Sequence, residues 1–115
     1  MTELLQEAHN HRLGGQYPEA EACYRQVLEA DANCAEACWG LGHTLLGLGD
    51  FDGCTEFFQH AIDLEPTNAL FILDLAKFLT MLGEYEQARP LFNQVIEMGA
   101  NERFVSEAKK QLAYF

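Results

Sequence analysis

The sequence has few basic residues and no long hydrophobic run, and these absences exclude several classes of protein. Seven Lys+Arg residues stand against eighteen Asp+Glu residues, for a formal net charge of −11. This charge repels nucleic-acid phosphates and anionic lipid surfaces, so neither nucleic acid nor a membrane is expected as a partner. No apolar run approaches the roughly 18 residues of a membrane-spanning helix.

An export signal is also missing from the start of the sequence, MTELLQEAHNHR, which has no basic head followed by an apolar run. We therefore expect a cytoplasmic location. In that reducing environment the four cysteines, Cys23, Cys34, Cys38 and Cys54, are expected to be free thiols. The acidic balance itself favours a solvated exterior over an acidic patch that recognises a basic partner.

An internal repeat is the main feature that is present. Gly15-Gln16-Tyr17, Gly49-Asp50-Phe51 and Gly83-Glu84-Tyr85 follow one another at a spacing of 34 residues. The same spacing relates small residues, aromatic residues and a third inner position of the following helix: Ala20, Cys54 and Ala88; Tyr24, Phe58 and Phe92; Val27, Ala61 and Val95. These steps of three and four residues predict one buried helical face, repeated three times.

These residues resemble the tetratricopeptide repeat (TPR) family, a resemblance that covers positions 1 to 102. The middle unit matches best, with these residues in register: Leu41, Gly42, Gly49, Phe51, Phe58, Ala61 and Pro66. Trp39 lies one place after the usual aromatic residue. The first and third units depart from the pattern, with Glu7-Ala8 and Leu75-Ala76 in place of Leu-Gly, and Ala32 and Ala100 in place of the closing proline.

The predicted fold is all-α, an α-solenoid of three helix-turn-helix units with a seventh, capping helix, in a single domain over 1–115. The repeats are 1–34, 35–68 and 69–101, and the cap is 102–115. Helices are expected at about 2–14, 18–30, 35–48, 52–64, 69–82, 86–98 and 102–114. Pro18 should begin its helix, Pro90 should kink its helix, and Asn101 should cap the last one.

The resemblance implies a concave groove lined by the first helix of each unit. The predicted peptide-binding residues are Leu5, His9, Arg12, Trp39, His43, Leu46, Leu73, Asp74 and Lys77. Within this set, Leu5, Trp39 and Leu73 form an apolar row, and His9, His43 and Lys77 form a potentially basic row one helical turn further on. Together the rows suit a peptide that carries apolar anchors beside acidic or carbonyl groups.

Several alternatives stay open at these positions. Trp39 could pack between units as core, and the histidines could be ordinary surface residues. Gly40 would leave room for a peptide backbone. TPR domains that hold the carboxylate tail of chaperones use basic and asparagine residues at places that here hold Leu5, His9, Gly40, Leu70 and Asp74, so that carboxylate clamp is absent. The last three residues, Ala113-Tyr114-Phe115, either tuck back against the last helix, which we favour, or contact another subunit.

The sequence offers little evidence for a metal site or for catalysis. Cys34, Cys38 and His43 match no common zinc motif, and Cys38 and Cys54 fall on packing positions of the repeat. The sequence contains no phosphate-binding loop and no nucleophile elbow. We therefore expect no catalytic residues, no metal and no cofactor. The favoured function is a non-enzymatic protein-protein interaction scaffold, and the alternative is a structural unit that self-associates or forms part of a larger TPR protein.

Overall fold

The computed structural model describes residues 2–115, which form seven α-helices and, over that range, no β-strand. The helices are α1 (Thr2–Leu13), α2 (Tyr17–Ala30), α3 (Ala35–Gly47), α4 (Phe51–Leu64), α5 (Ala69–Met81), α6 (Tyr85–Met98) and α7 (Glu102–Leu112). The all-α prediction is confirmed, and each predicted helix end lies within two residues of the observed one.

The turns between paired helices depend on glycine. Gly15, Gly49 and Gly83 have φ values of 76°, 82° and 80°, in the left-handed region that side chains disfavour. Each glycine therefore ends the first helix of a pair at the position the repeat predicted. Gly99, with φ 58°, ends α6 in the same way, although the repeat pattern does not mark it.

Helix starts also follow the sequence. The Asn101 side chain accepts hydrogen bonds from the backbone N–H groups of Arg103 (2.9 Å) and Phe104 (3.3 Å), so the predicted cap of α7 is confirmed. α2 begins at Tyr17, one residue before the predicted start, so Pro18 is the second residue of the helix and not the first. Pro90 lies inside α6, which continues without interruption from Tyr85 to Met98, and its kink stays a prediction.

The helices fall into two compact units. The first ends at Pro66 and contains α1 to α4; the second begins at Thr67 and contains α5 to α7. The single domain over 1–115 stays a prediction. Fully buried side chains of the first unit include Ala8, Ala20, Tyr24, Val27, Cys38, Leu41, Cys54, Phe58 and Ala61, and those of the second include Ile72, Leu73, Ala76, Phe92, Val95 and Ala108.

Three glycines within α3 let aromatic rings pack against its backbone. A Cβ atom at Gly40 would lie 2.4 Å from Cζ of Tyr24, and one at Gly42 would lie 2.5 Å from Cδ1 of Phe58. A Cβ atom at Gly47 would lie 2.5 Å from Cζ of Tyr17. The expectation that Gly40 leaves room for a peptide backbone is therefore wrong, because the Tyr24 ring fills that space.

The last helix packs on both preceding helices of its unit, α5 and α6, as a capping helix should. The chain end that follows it divides its two aromatic residues. The centroid of the Phe115 ring lies 5.3 Å from that of Tyr85 and 5.8 Å from that of Phe92, so the ring packs back against α6. Tyr114 is 84% exposed.

Candidate functional site

A group of polar and aromatic side chains joins the first three helices of the first unit. We call it the Trp39 cluster, and it consists of His9 and Arg12 on α1, Tyr24 on α2, and Glu36 and Trp39 on α3. Tyr24 is fully buried, His9, Arg12 and Trp39 are half-buried, and Glu36 is exposed. The cluster therefore runs from the core of the unit to its surface.

A continuous series of hydrogen bonds links four members of the cluster, Arg12, Tyr24, His9 and Glu36. Arg12 Nε donates to the hydroxyl oxygen of Tyr24 over 3.0 Å, and the Tyr24 hydroxyl is also bonded to Nδ1 of His9. His9 Nε2 lies 3.2 Å from Oε1 of Glu36. If the Tyr24 hydroxyl donates to Nδ1, a neutral His9 carries its proton on Nε2 and donates it to Glu36, and every group has a partner.

Aromatic contacts surround the Trp39 indole. The guanidinium carbon of Arg12 lies 4.9 Å from the Trp39 ring centroid, within the range of a cation–π interaction. The His9 and His43 rings approach the indole edge-on, with centroids at 6.3 Å and 4.9 Å. His43 in turn lies 4.8 Å from the Phe58 ring. These contacts fix the orientation of Trp39 and leave part of the indole at the surface.

Burial changes the electrostatics of the phenol at the inner end of the cluster. Desolvation raises the pKa of Tyr24 above its usual 10.0, and the nearby carboxylate of Glu36 acts in the same direction. The hydrogen bond from Arg12 and its positive charge partly oppose this increase in pKa. Tyr24 is therefore a neutral hydrogen-bonding group at neutral pH, able to orient both Arg12 and His9.

The other predicted residues of the first unit, Leu5 on α1 and His43 and Leu46 on α3, are half-buried. They lie on the same two helices as His9, Arg12 and Trp39. Since six of the nine predicted residues are in this unit and all six retain surface, the first unit alone offers a mixed apolar and basic face. Whether that face binds a peptide stays a prediction.

The three predicted residues of the second unit behave differently. Leu73 on α5 is only 2% exposed, so it belongs to the core and the expected exposed apolar side chain is not found there. Lys77 is half-buried and forms an ion pair of 2.7 Å with Glu107 of α7, which offsets the positive charge assigned to this position. Asp74, also on α5, is half-buried. The repeat identified the helical face but not the neighbours that cover it.

Sequence reasoning missed two members of the cluster as functional groups. Tyr24 was assigned to the core by its repeat position, and the role of its hydroxyl went unrecognised. A signal was available, because the same position holds phenylalanine in the other two repeats, and a buried phenol needs a hydrogen-bond partner. Glu36 carries no signal at all, since nothing in the sequence pairs it with His9 on another helix.

The cysteines pack as the repeat indicates. Cys38 and Cys54 are fully buried, Cys23 is nearly so, and Cys34 is half-buried; all four are free thiols in the structure. Burial raises the pKa of the Cys38 thiol to about 11, and the adjacent Cys34 adds to the increase. A thiol with a raised pKa is a poor nucleophile, so Cys38 is a packing residue.

The chain is 21% identical over 92 residues to anaphase-promoting complex subunit 3 of Schizosaccharomyces pombe, a match that covers 80% of this chain and 14% of that protein. The chain thus spans a small fraction of the length of this relative.

Across residues 2–115, each helix falls short of the length and hydrophobicity that crossing a bilayer requires.

Solved structures resemble this chain along nearly its whole length. The type III secretion translocator chaperone SycD of Yersinia enterocolitica superposes with a TM-score of 0.89 and 19% identity, over 98% of this chain and 81% of that one. PcrH, solved in complex with the chaperone binding region of PopD, gives a TM-score of 0.89 and 18% identity, over 98% and 88%. At these identities the similarity establishes the fold.

Two family models described as "Tetratricopeptide repeat" match the sequence, one over residues 5–69 and the other over residues 45–112. Each match covers more than half of the chain, and between them they extend from α1 to the end of α7. Together with the recurring glycine turns, the buried repeat positions and the capping helix, they establish that this chain belongs to the tetratricopeptide repeat family.

Proposed function

We propose that the chain is a non-enzymatic protein-interaction scaffold that binds a peptide segment of a partner protein on the α1–α3 face of the first unit. The observation that carries the proposal is the Trp39 indole, held half-buried between Arg12 and the edges of two histidine rings. Tryptophan and arginine side chains of this kind dominate the binding energy of many protein interfaces.

The chemistry of the face indicates what such a peptide would carry. Trp39, Leu5 and Leu46 supply apolar surface, and Arg12 supplies a cation whose position is already fixed by Tyr24. Glu36, with a side chain 59% exposed, would accept a hydrogen bond or a positive charge. A peptide with an apolar anchor next to a carbonyl or acidic group would fit these contacts.

A free carboxylate tail fits the face less well. The positions that hold such tails in chaperone-tail TPR domains carry Leu5, His9, Gly40, Leu70 and Asp74. Gly40 is buried beneath Tyr24 and could not donate from a side chain. PcrH has the same fold and was solved in complex with the chaperone binding region of PopD. That complex supports a segment of a partner protein as the class of ligand.

The experiment measures peptide binding to wild-type protein and to Trp39→Ala. Because Trp39 is the only tryptophan in the chain, a change in its fluorescence on adding a peptide reports occupancy of this face directly. The probes are synthetic peptides with spaced apolar anchors and, for contrast, an acidic peptide that ends in a free carboxylate. Calorimetry with the best binder should show affinity at least about 30-fold weaker for Trp39→Ala.

Tyr114→Ala is the control for loss of an aromatic ring, since it removes an exposed ring from outside the α1–α3 face. It should bind like the wild type. A sharp fall in the melting temperature of Trp39→Ala would identify Trp39 as core and sink the proposal. Light scattering over a range of concentrations separates peptide capture from self-association, the alternative function, which would make the apparent mass rise with concentration.

A further inference from the structure

A second group of side chains lies outside the Trp39 cluster, between α1 and α2 of the first unit. It consists of Glu7 and His11 on α1 and Cys23 on α2. One potential ligand atom from each residue, a carboxylate oxygen, an imidazole nitrogen and the thiol sulfur, lies within 4.8 Å of the other two. We propose that these three residues form a binding site for a divalent transition-metal ion of the Zn²⁺ type.

The three donor types match this class of ion. Zn²⁺ binds imidazole nitrogen, thiolate sulfur and carboxylate oxygen, and its ligand atoms in a tetrahedral site lie about 3.5 Å apart. Glu7 Oε1 and His11 Nε2 are already 3.8 Å apart, and their spacing of four residues puts both on one face of α1. Glu7 is exposed, so its carboxylate is free to adjust its rotamer toward an ion held by His11 and Cys23.

The neighbour of the imidazole supports the assignment. His11 Nδ1 lies 2.8 Å from Oε1 of Gln16, and an imidazole that donates from Nδ1 to this oxygen keeps Nε2 as its metal-binding nitrogen. Nε2 lies 3.8 Å from the Glu7 carboxylate oxygen Oε1, so a cation placed between these two atoms would contact both. A second partner that fixes the ring through its other nitrogen is characteristic of metal-binding histidines.

The thiol completes the set from a buried position. Desolvation raises the pKa of Cys23, and the negative charge of Glu7 adds to the increase, so metal binding must displace the thiol proton. This group could not be predicted from the sequence, because Cys23 lies on the next helix and the three residues follow no zinc-motif spacing. The bound ion would link α1, through Glu7 and His11, to α2, through Cys23.

The experiment titrates Zn²⁺ into reduced, chelator-treated full-length protein in competition with a chromophoric chelator. We expect a single equivalent of Zn²⁺ per chain, and with Co²⁺ a near-ultraviolet band from thiolate-to-cobalt charge transfer. Glu7→Gln, His11→Gln and Cys23→Ser should each weaken binding at least about tenfold, and Gln16→Ala should also weaken it about tenfold. Only Cys23→Ser should abolish the charge-transfer band.

Matched controls carry the same changes elsewhere: Cys34→Ser, His60→Gln and Glu3→Gln should bind like the wild type. Because Cys23 is buried, its variant could fail to fold; Glu7, with a side chain 61% exposed, keeps the test decisive. The proposal is overturned if the wild type takes no Zn²⁺ from the chelator, which would leave Glu7 and His11 a simple ion pair. It is equally overturned if Cys34→Ser removes the cobalt band.

Discussion

The junction between α1 and α3 in the first unit and the junction between α5 and α7 in the second use the same repeat positions for different chemistry. In the first unit, His9 meets the Trp39 ring at 6.3 Å. Two repeat periods later in the sequence, the same positions hold Lys77 and Glu107, joined by an ion pair of 2.7 Å. The first junction presents an indole at the surface, and the second presents a pair of charges.

The core beneath each junction differs in a matching way. Tyr24 and Gly40 of the first unit correspond to Phe92 and Ala108 of the second, and all four are buried. The phenol hydroxyl of Tyr24 reaches Arg12 and His9, and glycine at 40 leaves space for the ring. Phenylalanine needs no polar partner. One repeat pattern thus supports a polar network in one unit and buried apolar residues on α6 and the capping helix α7 in the other.

Breaking the packing beneath the first junction should have the largest effect on stability. In Gly40→Ala the new Cβ atom would lie 2.4 Å from Cζ of Tyr24, a fully buried ring with little room to move. We expect a loss of about 3 kcal/mol in the free energy of unfolding, the upper range for overpacking a core. Urea denaturation followed by circular dichroism measures it.

The second unit supplies the control for this change. Ala108→Gly, the reverse exchange at the corresponding position, should cost only about 1 kcal/mol through the lower helix propensity of glycine. Equal losses for Gly40→Ala and Ala108→Gly would show that the two junctions do not differ in this respect.

The period of 34 residues predicted the helices, their turns and most of the buried positions, since it depends on local rules. Glycine with positive φ ends helices, asparagine caps them, and steps of three and four residues share a face. Helix ends could therefore be placed to within two residues. The capping role of α7 was also predictable, because an array must cover its last apolar face.

The contacts of the candidate site could not be predicted to the same extent. The repeat places Gly40 and Leu73 on the groove side of their helices, but it does not say how far a ring or a chain from another helix reaches. Tyr24 fills the space at Gly40, Leu73 is buried, and Glu107 pairs with Lys77. These outcomes depend on side-chain lengths in elements that are distant in sequence.

The next largest effect is a loss of folding stability at alkaline pH. We expect it in the first unit, because all four cysteines lie there. The pKa of Cys38 is raised from 9.0 to about 11, so the unfolded chain loses this proton at lower pH than the folded one. The contribution to stability is complete below pH 9 and is lost as the pH rises through 11. We expect about 2 kcal/mol less stability at the end of this range, measured by denaturation at each pH.

Cys38→Ala isolates this contribution from the general effect of alkali. The variant should lose less stability than the wild type between pH 9 and pH 11, with Trp39 fluorescence reporting on the unit that contains both residues. Cys34→Ala, which removes a half-buried thiol, should follow the wild type more closely. Parallel curves for the wild type and Cys38→Ala would contradict the assignment of the pH dependence to Cys38.

The smallest effect is expected at the second junction itself. Lys77 and Glu107 have side chains 41% and 39% exposed, so water and salt screen their attraction and holding two long side chains together costs entropy. A double-mutant cycle with Lys77→Met and Glu107→Gln should give a coupling of about 0.5 kcal/mol that falls further in high salt. A coupling above about 2 kcal/mol would mean that the ion pair holds α7 in place. A weak coupling would instead mean that α7 is held against α5 and α6 by its apolar side chains. The two junctions would then differ in energy as well as in chemistry.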